Sequence, residues 1–200
     1  ISFAVTVCNE IEELKVLIPF LEKWKRKRDE IVIQYDSQSV TDDVMAYLDI
    51  LPHKVIGFPL GGDFSNFKNN LKRICNGHYI FQIDADEIPN VLLMQNIHDI
   101  ISQENVDVFY VPRVNTVKGI KQHHIDKWGW RVNDKGWINF PDYQSRIYRR
   151  HENIEWVYKV HEQIIGFKTF TTIPGYEELA LYHHKKIDRQ EKQNEFYGTL

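Results

Sequence analysis

Tyr79-Ile80-Phe81-Gln82-Ile83-Asp84-Ala85-Asp86-Glu87-Ile88-Pro89 is the stretch on which the reading of this chain turns. Apart from Gln82, residues 79–83 are β-branched or aromatic, the composition of a buried strand. The run ends abruptly in the carboxylates of Asp84, Asp86 and Glu87, and Pro89 is expected to stop further strand pairing. Residues two apart on a strand share a face, so Asp84 and Asp86 both aim at one point beyond the strand end while Ala85 turns into packing. Two neighbouring carboxylates repel unless something positive lies between them. A hard divalent cation such as Mg²⁺ or Mn²⁺ meets that need and keeps positions open for phosphate oxygens. The plainer alternative for a bare Asp-x-Asp is a solvated acidic turn.

Upstream, strands and helices alternate. Ser2 to Val7 reads as a strand closed by Cys8-Asn9-Glu10. Leu14, Leu17, Ile18, Leu21 and Trp24 recur at helical spacing over Ile11 to Trp24. Glu30 to Tyr35 is a second strand ending at Asp36, Asp42 to Leu51 a helix, Lys54 to Phe58 a third strand, and Phe64 to Cys75 a helix with Lys68, Asn69, Lys72 and Arg73 on its polar side. This order predicts right-handed crossovers and a mostly parallel sheet, whose ligands gather beyond the carboxyl ends of the strands. Asn9, Asp36 and the Asp84/Asp86 pair all lie at such ends.

Downstream the texture changes. Val91 to Gln103 predicts a helix and Asp107 to Val114 a strand. Residues 115 to 141, dense in His, Trp, Lys and Gly, form a long connection of a length usually kept for function. Gln144 to Arg149, Val157 to Ile165 and Leu179 to His183 read as strands, and the pattern turns helical from Ile187. The expected fold class is therefore α/β: a mostly parallel sheet flanked by helices, with a smaller antiparallel part. One domain is expected over 1–200, with a nucleotide-binding half (1–105) and an acceptor-side half (106–200), as a complete unit or a module of a longer chain.

Composition narrows the function classes. A net charge of −3 over 200 residues gives no field that favours nucleic acid. No apolar run approaches a membrane span, and no secretory leader is visible. Cys8 and Cys75 have neither metal nor disulfide spacing, which predicts a reducing, cytoplasmic setting.

With these motifs in order, the chain resembles the family 2 glycosyltransferases of GT-A fold over nearly its whole length. Val5-Thr6-Val7-Cys8-Asn9-Glu10 looks like the family's opening strand and turn. Asp36-Ser37-Gln38-Ser39-Val40-Thr41-Asp42 is similar to its Asp-x-x-Ser-x-Asp loop, one residue longer. Lys68-Asn69-Asn70 matches a basic-Asn pair, and Asp84-Ala85-Asp86 matches the metal-binding Asp-x-Asp. Residues 141–150 (Pro-Asp-Tyr-Gln-Ser-Arg-Ile-Tyr-Arg-Arg) with Val160-His161-Glu162 look like a subgroup acting on surface glycans or peptides. The family's Glu-Asp catalytic pair is absent as such, and Val160-His161-Glu162 stands in its place.

The resemblance implies an inverting transfer from a nucleotide-diphospho sugar, with UDP expected, to a glycan or other hydroxyl acceptor. It makes Asp86 the more direct Mn²⁺ or Mg²⁺ ligand and leans Asp84 toward the ribose. A histidine near the domain end completes the set: His183 first, His184 second. An acceptor hydroxyl needs a general base; Glu162 is the candidate and Asp142 the fallback. Glu162 could instead pair with Arg146 or Lys159. Asp36 would accept from a base N–H or cap the next turn, Thr6 and Asn9 would line the nucleotide pocket, and Lys68 would face the diphosphate or solvent. Trp128, Trp130 and Trp137 offer either an acceptor platform or anchors for the 115–141 connection. Two competing functions stay open, a sugar-nucleotide nucleotidyltransferase and a non-catalytic nucleotide- or glycan-binding module. Against the first, residues 7–12 lack the Gly-rich triphosphate loop.

Overall fold

The computed structural model describes residues 1–198. Its first half is the expected alternation: β1 (Ser2–Val7), α1 (Ile11–Trp24), β2 (Glu30–Asp36), α2 (Asp42–Leu48), β3 (Lys54–Phe58), α3 (Phe64–Ile74) and β4 (Tyr79–Asp84). Then follow β5 (Glu87–Pro89), α4 (Val91–Glu104), β6 (Val108–Val111), β7 (Arg113–Lys118), α5 (Gln122–Trp128), β8 (Gln144–Arg149), β9 (Glu155–Val157), β10 (Gln163–Ile165), β11 (Phe170–Thr172), β12 (Leu181–Lys186) and α6 (Ile187–Tyr197).

Seven strands form the central sheet in the order β11-β6-β8-β4-β1-β2-β3. Strands β3, β2, β1 and β4 run parallel, β8 is antiparallel to both its neighbours, and β11 is parallel to β6. The chain builds outward from β1 to β2 and β3, then returns through α3 to place β4 on the other side of β1. The β1–β4 junction is thus a topological switch point, where an open α/β sheet leaves a crevice for ligand.

Pleating divides the core. Phe3, Val5, Val7, Phe81 and Ile83 pack with Leu14, Leu17, Leu21, Leu93 and Ile97 on one face. Ala4, Val32 and Ile80 pack with Leu71, Tyr148, Trp156 and Ile164 on the other. Ala85 is buried in the first cluster, so the turn-away expected between the two aspartates is realised.

Helix α3 enters beneath the switch point because Asp63 caps it, its Oδ1 accepting from the Asn66 N–H at 2.9 Å and the Ser65 hydroxyl at 2.7 Å. The Asn66 N–H bond, opposed by slight burial and helped by Ser65, lowers the Asp63 pKa. A lowered folded-state pKa gives stability that is present above the unfolded value near 3.9 and is lost as pH falls through the folded value. Asp63→Ala should cost about 1 kcal/mol at neutral pH. In urea titrations the gap from wild type should close as the pH is taken below about 4; a pH-independent gap would refute the cap.

Several expectations for the second half need correction. The strand predicted over 107–114 is two. Pro112, lacking an N–H for the ladder, ends β6 in the central sheet, and the chain then enters a second sheet as β7. That second sheet, β5-β12-β7, pairs β12 antiparallel to β5 but parallel to β7. Pro89 does not end pairing: it sits opposite Leu181 on β5, an edge strand, where proline is tolerated. The strand predicted over 157–165 is the hairpin β9–β10, broken by left-handed backbone at Tyr158 (φ 71°) and His161 (φ 54°). The strand predicted over 179–183 begins at Leu181 and runs to Lys186. The 115–141 connection holds most of β7, helix α5 and single bridges from Ile138 to Asn115 and Val132.

Candidate donor and acceptor site

A cavity of about 760 Å³ opens at the switch point, within the range of small-molecule sites. Thr6, Asn9 and Asp36 from the ends of β1 and β2, Lys68 from α3, Asp84 and Asp86 beyond β4, and Asp142, Glu162 and His183 from the second half all line it. His184 does not. Alternation along β12 turns it away, onto Thr116 Oγ1 at 2.5 Å and the Tyr182 ring.

Thr6 and Asp84 are register partners, and the Thr6 hydroxyl donates to Asp84 Oδ1 at 2.8 Å. Asp84 Oδ2 accepts from Arg146 Nη2 at 2.6 Å. Burial alone would favour a neutral Asp84, but the Arg146 guanidinium, Lys68 and the Thr6 hydroxyl outweigh it and hold the carboxyl well below the usual range.

Asp86 faces cations. His183 Nε2 lies 3.3 Å, Arg189 Nη2 3.5 Å and Lys185 Nζ 3.9 Å from its Oδ2. Burial again opposes ionisation, and His183 with Lys185 reverses that and lowers the pKa. The repulsion that called for a cation between the aspartates is therefore already answered by protein side chains.

Among the described residues, no group of three or more His, Cys, Asp or Glu side chains stands together as a metal site. The Asp86–His183 pair nevertheless has the chemistry of a partial one. Asn115 Nδ2 donates to Asp142 Oδ2 at 2.6 Å, which turns Asn115 Oδ1 to His183 Nδ1 at 2.7 Å. His183 presents Nε2 to Asp86 Oδ2 across 3.3 Å, and an imidazole nitrogen set beside a carboxylate oxygen is the donor pairing that divalent cations take. Ligands about 2.1 Å from an octahedral cation and at right angles stand about 3 Å apart, close to the observed separation.

Asp142 is saturated: Oδ2 accepts from Arg113 Nε, Arg113 Nη2 and Asn115, and Oδ1 from Gln144. Burial is outweighed by Arg113 and these donors, which hold its carboxyl low and make it a poor proton acceptor. Glu162 pairs with neither Arg146 nor Lys159 but with Lys68, whose ammonium also lies 4.6 Å from the Trp156 ring centroid. Lys68 is buried rather than solvated.

Asp36 caps a turn, with Oδ1 accepting from the Gln38 and Leu60 N–H groups, and it also lines the cavity. Asn9 is exposed at the rim beside Glu10, whose Oε2 accepts from the Cys8 and Asn9 N–H groups at 2.7 and 3.0 Å. Of the three tryptophans only Trp130 lines the cavity; Trp128 stacks between His124 and Trp130, and Trp137 packs on Phe140.

Arg113, Arg146, Glu87, Lys185 and Arg189 were not singled out from sequence as members of the site. A usable signal existed for two of them. Arg146 directly precedes Ile147-Tyr148 and Arg113 directly precedes Val114, and an arginine beside core positions of a strand needs a carboxylate partner.

No family model and no curated protein matches the chain. Among solved structures, that of S. aureus TarS 1–349 superposes with a TM-score of 0.61 at 16% identity, covering 92% of this chain and 60% of that one. The same TarS fragment in complex with UDP-GlcNAc gives a TM-score of 0.63 at 16% identity, covering 92% of this chain and 58% of that one. TarS itself gives 0.60 at 15% identity, and there this chain spans only 36% of its length. The fold is thus α/β of the GT-A-like kind, and among the described residues no helix is long and apolar enough to cross a membrane.

Proposed function

We propose that this chain is a glycosyltransferase that uses a nucleotide-diphospho sugar, with UDP as the nucleotide, and passes the sugar to a glycan hydroxyl. The observation that carries the reading is the convergence of Thr6–Asp84 and Asp86–His183 on one cavity at the β1/β4 switch point. Similarity to TarS, described in complexes with UDP and with UDP-GlcNAc, supports the choice of nucleotide. A nucleotidyltransferase is less well supported, since the turn after β1 is closed by the Glu10 carboxylate where a triphosphate would need glycines and a cation.

In this reading Asp36 takes a base N–H on Oδ2, and Thr6 and Asn9 border the nucleotide. Mn²⁺ or Mg²⁺ would be held by Asp86 and His183 and would neutralise charge on the departing diphosphate. Lys68 lends positive charge beside the leaving group and fixes Glu162. Glu162 removes the acceptor proton, and a single base suits direct displacement with inversion. Trp130 offers a ring face to the acceptor sugar. Cys8 and Cys75, both free thiols, fit a reducing cytoplasmic compartment.

Calorimetric titration of UDP in Mn²⁺ and then in EDTA tests the proposal. UDP should bind in the micromolar range with metal and at least about tenfold more weakly without it. Failure of UDP, GDP and dTDP alike under every metal condition would remove the donor-site reading.

A further inference from the structure

Beyond the residues given roles above lies a chain of alternating charge that crosses the floor of the cavity. Glu87 is fully buried and is not among the residues lining the cavity. Its Oε1 accepts from Arg146 Nη2 at 2.5 Å and from Arg113 Nη1 at 2.9 Å, and its Oε2 from the Asp84 N–H at 3.3 Å. Arg146 Nη2 is shared with Asp84 Oδ2, and Arg113 forks onto Asp142. The two guanidiniums come from different sheets, Arg146 from β8 and Arg113 from β7. Side by side and buried, they would repel without the carboxylate between them.

We infer that Glu87 is a positioning residue that couples the acceptor-side wall to the donor carboxylates through Arg113 and Arg146. The inference rests on the donor-site reading proposed above. Its physical content is competition for shared donors. A guanidinium released by one carboxylate is held more firmly by the next. Neutralising Asp142 lets Arg113 settle on Glu87; Glu87 then holds Arg146 less, and Arg146 moves its weight onto Asp84. Asp84, more fully quenched, contributes less to holding a donor. Occupation of the acceptor wall would thereby be felt at the donor subsite through Glu87, which lines no part of the cavity.

A second route joins the same ends, from Asp142 through Asn115 and His183 to Asp86. Substitution of Glu87 leaves that route intact, so a cycle can separate the two. The proteins are wild type, Asp142→Asn, Glu87→Gln and the double variant, titrated with UDP in Mn²⁺. Asp142→Asn should weaken UDP binding about tenfold in the wild-type background, a typical coupling. In the Glu87→Gln background it should weaken binding less than about threefold, the residue of the Asn115 route. Equal effects in both backgrounds, or none in wild type, would overturn the inference. A merely structural Glu87 would lower stability without changing how Asp142→Asn reads at the donor subsite.

Should Glu87→Gln fail to fold, Arg113→Lys breaks the same chain at a less buried point, since one ammonium cannot fork between Glu87 and Asp142. It should uncouple the ends likewise. A urea cycle on Asp84→Asn and Asp142→Asn needs no ligand. The two midpoint shifts should be non-additive in wild type and additive once Glu87 or Arg113 is changed. If UDP fails to bind wild type, the donor-site reading falls, while additive shifts in wild type would refute the coupling itself.

Discussion

Asp86→Ala should weaken Mn²⁺-dependent UDP binding at least about 100-fold, more than the loss of an outer-shell partner typically costs. The magnitude follows from how the other carboxylates are committed. Asp84 is engaged at both oxygens, by Thr6 and Arg146, and Asp142 at both by Arg113, Asn115 and Gln144. Of these three, it is Asp86 that faces an imidazole nitrogen, His183 Nε2 at 3.3 Å, the pair proposed to hold the cation. The same substitution strips His183, Lys185 and Arg189 of a shared counter-charge. UDP binding in EDTA should therefore strengthen in Asp86→Ala, because those cations become available to the diphosphate. Opposite signs with and without metal separate loss of a ligand from simple misfolding. Equal weakening in Mn²⁺ and EDTA would sink the assignment of Asp86 as a metal ligand.

Glu162→Gln should lower turnover of a UDP-sugar by about 10²–10⁴-fold, the usual contribution of a positioned general base. UDP affinity should stay within about threefold of wild type, since the amide oxygen still accepts from Lys68. The split matters because Asp142 is the only other carboxylate proposed for the role, and its donors leave it little basicity. Turnover unchanged in Glu162→Gln but lost in Asp142→Asn would transfer the base to Asp142. Single-turnover measurements of UDP release check both variants.

The first half of the chain was largely legible because its determinants are local. Ser2–Val7, Ile11–Trp24 and Lys54–Phe58 have the bounds that their periodicity predicts, and the parallel order followed from alternation alone. Both aspartates do line the cavity, but strand pleating is not the reason, since β4 ends at Asp84 and Asp86 sits in the turn before β5. Legibility failed where a segment's partner lies far along the chain. Val108–Val111 and Arg113–Lys118 look like one strand until Pro112 is seen passing the chain between two sheets. Glu87 looked like the tail of an acidic turn, and only the pairing of β5 with β12 shows it buried against Arg113 and Arg146. His183 was placed ahead of His184 for its position closing the strand, and their opposite directions on β12 are what separate them in the fold.

Strand β12 lies between β5 and β7, yet it is drawn from residues 181–186, whereas every strand of the central sheet is complete by Thr172. Vectorial synthesis therefore delivers the part of the cavity lined by Thr6 and Asp36 before the edge that carries His183 and Lys185. An emerging chain holds every strand of the seven-stranded sheet while Asp86 still lacks its facing nitrogen. Closing the small sheet joins segments some 70 to 90 residues apart, Asn115 with His183 and Pro89 with Leu181, a span that the β1–β4 pairing of the central sheet shares, so what sets the small sheet apart is its place at the end of the chain. The His183 wall of the cavity is in this sense the last part the chain acquires, and a nick between 172 and 181 would part it from the seven-stranded sheet.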